Sequence, residues 1–139
     1  MIDPHTGALL IGQGERVEPT ASLATFLASP VGRSATEFAG PTTEWPSYEL
    51  RTVEPGGATW YVHLTFHGQK LHSARLSIVD SNAKGWDDWS EDDELAKEAA
   101  YEVTLVRLLG PAPHRLPWGV AGAVFDRRAG FAFIAVTYA

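Results

Sequence analysis

The sequence predicts an α+β protein: a single antiparallel β-sheet of about five to six strands packed on one long α-helix and one short helix, in the order β-α-β-β-β-α-β-β. Three observations lead there. Residues 91–109, flanked by Ser90 and Gly110, carry apolar side chains at helical spacing between a start signal and a stop signal. Residues 58–66 alternate Trp60, Val62, Leu64 and Phe66 against Tyr61, His63 and Thr65, the period of a half-buried antiparallel strand. The turns at Pro55-Gly56-Gly57 and His67-Gly68-Gln69-Lys70 are too short to cross a sheet, so the strands they join must be neighbours running in opposite directions.

At 139 residues the chain is the size of one domain, read as 1–139, with enough length to bury a core without disulfides or metal. Its 45% apolar and 20% charged composition is globular, and with no cysteine it has no disulfide, thiolate ligand or Cys nucleophile. The start, Met1-Ile-Asp-Pro-His, lacks a signal-peptide pattern, and no apolar run is long enough for a membrane span, so a cytoplasmic location is expected. A formal charge of -6 disfavours nucleic acid and favours basic partners.

In chain order, residues 8–11 read as a strand between glycines, and Gly12-Gln13-Gly14 as a turn rather than a dinucleotide loop. Thr20 caps a short helix over 21–28 that Pro30 ends, and 31–46 is a connecting loop pinned to the body by the rings of Phe38 and Trp45. Strands follow at 47–54, 58–66 and 71–79. For the second hairpin, a two-residue turn led by Gly68 sets Phe66 opposite Leu71. Matching the apolar faces instead sets Trp60, Val62 and Leu64 opposite Ile78, Leu76 and Ala74, one step different. The faces decide, because a slip would send an apolar row into water, and a three-residue loop or a bulge is expected. After the long helix and a proline-rich link, 119–125 and 131–138 form a closing hairpin around Asp126-Arg127-Arg128-Ala129-Gly130.

Ser90 is the N-cap of the long helix, Glu91, Asp92, Asp93 and Glu94 suit its positive end, and Gly110 with Pro111 and Pro113 ends it. Leu95, Ala96, Ala99, Val103, Val106 and Leu109 gather into a core-facing stripe. A second stripe, Tyr101, Leu105 and Leu108, lies opposite; burial under the short helix and the proline-rich link is the first expectation, and a candidate oligomer or second interface the other, making the chain a monomer or a homodimer. Glu102 falls on the core stripe, where it needs a partner such as Arg75 or a histidine of the sheet.

His63, His67 and His72 are not expected to make a metal site: His63 and His67 lie some 13 Å apart on an extended strand, and no carboxylate stands nearby on either strand of the hairpin. No serine sits in a nucleophile motif, and the acids on presumed loops and edges are expected to be solvated, so no catalytic residue and no cofactor is assigned. The informative cluster is Trp86, Asp87, Asp88, Trp89, Glu91, Asp92, Asp93 and Glu94, with more acid and indole than a cap requires. Aromatic anchors beside carboxylates fit a surface that binds and steers a basic protein, and Trp86, Asp87, Asp88, Trp89, Glu91, Asp92 and Glu94 are its expected contacts.

The early Gly-Ala-Leu-Leu-Ile-Gly strand, the Trp-Asp-Asp-Trp-Ser-Glu-Asp-Asp-Glu helix entry and the closing Trp-Gly and Phe-Asp-Arg-Arg-Ala-Gly hairpin resemble in layout the small bacterial immunity proteins encoded beside secreted toxins. The resemblance implies a cytoplasmic, non-enzymatic inhibitor that occludes the active site of a cognate toxin, and assigns no residue roles. The alternative is a small-ligand or enzymatic α+β domain whose pocket lies between sheet and helix, lined by Tyr61, Glu102 or the histidines.

Overall fold

A computed structural model describes residues 1–12, 14–38, 44–54, 56–79 and 89–139. In chain order these form β1 (Leu9–Leu10), β2 (Arg16–Val17), α1 (Leu23–Ala28), α2 (Pro30–Ser34), β3 (Thr36–Phe38), β4 (Ser47–Val53), β5 (Thr59–His67), β6 (Lys70–Ile78), α3 (Glu91–Leu109), β7 (His114–Leu116), β8 (Gly119–Asp126) and β9 (Phe131–Tyr138). One seven-stranded antiparallel sheet runs β3-β4-β5-β6-β9-β8-β7, and β1 with β2 makes a separate two-stranded piece. The α+β class and the long helix are as expected, whereas the strand count and order differ.

The differences come from pieces too short to leave a periodic signal. Residues 31–46, expected to be a loop, contain α2 and β3. Pro30 does not simply end α1; it starts α2 at a position where a missing N–H costs nothing, with the Ser29 hydroxyl accepting from Gly32 N. The cap of α1 is Ser22, not Thr20. In the link after α3, three residues pair with β8 as the edge strand β7. The strand read at 8–11 joins β2 instead of the main sheet.

The two register arguments for the β5–β6 hairpin both hold. Phe66 faces Leu71 at the turn, while Trp60, Val62 and Leu64 face Ile78, Leu76 and Ala74. The register shifts between Thr65 and Phe66, so His72 is the extra residue of a bulge. This one irregularity keeps the apolar row inward and the tight turn closed.

Among the described residues the covering elements lie on one face. That face presents Leu50, Trp60, Val62, Leu64, Phe66, Leu76, Ile134 and Val136, all buried. Phe26 of α1 sits 5.8 Å from the Tyr48 ring and 5.4 Å from Phe66. The N-terminal segment brings Ile2, Leu9 and Val17 into the same core. It is tied down by the Tyr138 hydroxyl donating to Gly7 O at 2.9 Å and by Trp118 Nε1 donating to Pro4 O at 3.0 Å. A Cβ on Gly7 would lie 2.5 Å from the Trp118 ring, so glycine is what lets the indole close down there.

Helix α3 starts and stops as expected: the Ser90 hydroxyl accepts from Asp93 N, and Gly110 N bonds back to Val106 O. The face it buries is the reverse of the expected one. Tyr101 and Leu105 are buried and Leu108 half-buried, whereas Leu95, Ala96, Ala99, Val103 and Val106 are exposed, and only Leu109 of that stripe is half-buried. The stripe considered for an oligomer contact is thus largely core.

The reason is hydrogen bonding. Pairing of β6 with β9 ends at Leu76 and Ile134, and the strands then part. The backbone N–H of Ile78 donates to the Tyr101 hydroxyl at 3.0 Å, and that of Ala132 donates to Glu94 Oε2 at 2.9 Å. Glu94 and Tyr101 are seven residues apart, two turns along one face, so both can close the gap only if that face turns inward.

Candidate functional site

The expected contacts at the entry to α3 divide into four groups. Trp86, Asp87 and Asp88 lie outside the described residues. Trp89 is half-anchored: its Nε1 donates to Gly130 O in the β8–β9 turn at 2.6 Å, while 38% of the residue stays exposed. Glu91 meets Arg127 at 3.3 Å in an exposed ion pair, and Asp92 and Asp93 face solvent. Glu94 is buried, holding Lys97 Nζ at 3.0 Å as well as the Ala132 N–H. It is a structural carboxylate and is withdrawn from the contact surface.

Glu102 is half-exposed and lies 3.9 Å from Nδ1 of the buried His114, whose Nε2 is 3.0 Å from Gly110 O. Its partner is thus a histidine of the sheet, as one of the two expectations had it, and not Arg75. The three histidines of the second hairpin fall in two places. His63 sits 3.3 Å from Glu49 and packs its ring on Phe38, whereas His67 stacks on Trp45 at 4.2 Å with His72 edge-on to the same indole at 5.0 Å. Trp45 is held by these rings, and Phe38 is half-exposed, so neither pins the chain by deep burial. Among the described residues no three His, Asp or Glu side chains are grouped to hold a metal.

The sheet face away from the core carries a feature no local pattern announced. Strand registers align Phe38, Ser47, Thr65, Ser73, Thr137, Val120 and Arg115 in one row across all seven strands. The next row runs Thr36, Glu49, His63, Arg75, Ala135 and Gly122. On this face Arg51 covers the Tyr61 ring at 4.6 Å and hydrogen-bonds its hydroxyl, and Arg75 covers Phe133 at 4.8 Å. Alternation along β5 exposes these positions as surely as it buries Val62 and Leu64, but bringing Arg75 beside Ala135 required β9 to pair with β6, which nothing local encodes.

A groove of about 1070 Å³ joins the two regions, reaching from Trp89, Ser90 and Asp93 at the start of α3 across Phe131, Phe133 and Tyr61 to His63 and Arg75. At its inner end the Tyr101 hydroxyl is pushed above the usual tyrosine range, chiefly by burial, so it stays neutral while it accepts from Ile78. Among the described residues no helix is long and apolar enough to cross a membrane. No protein-family model, curated protein or solved structure matches this chain.

Proposed function

We propose that this chain is a non-enzymatic protein-binding module of the immunity type, which acts in the cytoplasm and neutralises a cognate toxin by covering its active site. The observation that carries the reading is the groove running without a break from the acidic, indole-bearing start of α3 onto the sheet face away from the core. Exposed aromatic and aliphatic side chains on that face, Phe38, Tyr61, Val120, Val124 and Phe131, add apolar area of the kind that marks protein contact sites. Asp92 and Asp93 at one end supply charge that would steer a basic partner.

The test is a 1:1 titration with a basic toxin domain encoded next to this gene, together with rescue of growth when both are expressed. Trp86→Ala and Trp89→Ala combined with Asp87→Lys and Asp88→Lys are expected to weaken binding by about 100-fold with an unchanged circular dichroism spectrum. Undiminished affinity would remove this surface from the interaction. The small-ligand alternative is favoured by one observation, the groove volume, which lies in the range of ligand pockets and keeps Tyr61 and His63 in its lining, although Glu102 lies beside His114 instead.

A further inference from the structure

Acids outnumber Lys plus Arg by 17 to 11 in this chain, and Arg16, Lys97 and Arg127 each hold a carboxylate. Arg75 does not: among the described residues no carboxylate pairs with it. Its head is kept over the sheet by the Phe133 ring, 4.8 Å from the guanidinium carbon, so the N–H donors are held in place without being used. Ser73 and Ser77 stand two residues away on either side, hence on the same face, half-buried and with no side-chain hydrogen bond among the described residues.

The Cα partner of Arg75 across the strand pair is His63. Glu49 Oε1 lies 3.3 Å from its Nδ1, and Nε2 has no hydrogen-bond partner among the described residues. The middle of the groove thus gathers a guanidinium and two hydroxyls that hold no carboxylate or side-chain hydrogen bond among the described residues, on an aromatic lining of Tyr61, Phe131 and Phe133.

We infer that this point is a subsite for a planar monoanion, an aromatic carboxylate, whose carboxylate takes the Arg75 fork and a serine hydroxyl while its ring lies along the aromatic floor. A carboxylate is favoured over a phosphate because, among the described residues that line the groove, Arg75 is the one guanidinium and Glu49 lines it too, a balance that suits one negative charge and disfavours two. The inference does not depend on the protein-binding reading.

Benzoate serves as the probe and benzamide as its neutral isostere, followed by the Arg75 Nε–H signal and backbone amides in ¹H–¹⁵N spectra. Benzoate is expected to shift Arg75 and residues 73–77 and 131–135 saturably, with benzamide weaker by about tenfold or more. Arg75→Gln should weaken benzoate by about tenfold and Ser77→Ala by about threefold. If Arg75→Gln fails to fold, Arg75→Lys, which keeps the charge and loses the fork, should still weaken benzoate by roughly threefold. Equal shifts with benzoate and benzamide, no saturable shift, or full affinity in the folded Arg75 variant would overturn the assignment. Asp92→Lys, outside the groove lining, should leave benzoate binding intact, so loss of the toxin interaction and loss of this subsite are separately visible.

Discussion

The two faces of the seven-stranded sheet come from the same alternation and have opposite fates. One carries Val62, Leu64, Leu76 and Ile134, all shielded by α1, α3 and the N-terminal segment. The other carries Tyr61, His63, Arg75 and Phe133, and no helix covers it among the described residues. On the closed face Tyr101, Glu94 and His114 each hold a backbone group of the chain. On the open face Arg75, Ser73 and Ser77 hold nothing of the kind. The contrast separates residues that make the fold from those that the proposed recognition would use.

The sharpest way to break this contrast is through α3, where one helix shows both environments. Leu105→Ala removes a buried side chain and should cost about 2–5 kcal/mol, whereas Val103→Ala, two residues earlier on the exposed stripe, should stay within about 0.5 kcal/mol. Urea unfolding of both variants measures this directly. A larger loss from Val103 would mean that the stripe read as exposed is the packed one.

Next in size is the carboxylate that seals the parting of β6 and β9. Glu94→Ala leaves the Ala132 N–H buried without an acceptor and should destabilise by about 1–3 kcal/mol, seen as faster amide exchange at Ala132. Glu94→Gln retains an acceptor and should recover part of the loss. If Glu94→Ala were as mild as a change at exposed Asp92, the carboxylate would belong to the contact surface after all.

The open face should respond least in stability. Tyr61→Ser and Arg75→Gln are each expected within about 0.5 kcal/mol of the parent in urea unfolding, because neither side chain fills the core. A loss comparable to that of Leu105→Ala would show that these positions support the fold and would weaken the case for recognition there.

These differences also mark what could be read from the chain. The bounds of α3, its Ser90 cap, the β5–β6 bulge and the closing hairpin were legible because capping, alternation and turn chemistry act over a few residues. The buried face of α3 was not. A count of apolar side chains favours Leu95, Val103 and Val106, and cannot see that two strands part above the helix and need Tyr101 and Glu94 to meet their N–H groups. The same holds for the site. Tyr61 and His63 were legible as outward residues of β5, with Arg75 opposite His63 in the same hairpin, but their meeting with Phe133 depends on β9 inserting between β6 and β8, a choice made by the whole sheet.

The smallest expected effect concerns the segment that seals the closed face beside Tyr138. Asp3 accepts from His5 N at 2.8 Å and from Arg16 at 2.9 Å, and these bonds, the His5 backbone bond foremost, hold its carboxyl below the ordinary value of 3.8. A depressed folded pKa means that this contribution is complete above the unfolded value and disappears as the pH falls through the folded one, so the window opens below about pH 4. The carboxylate is exposed, and solvent screening keeps the contribution small. Asp3→Asn should therefore melt slightly below the parent at pH 6, and the gap should close on acidification toward pH 2. A gap that stays constant across that range would show that Arg16 and the His5 amide do not distinguish the charged from the neutral side chain, and that the N-terminal segment is held by the Trp118 and Tyr138 contacts alone.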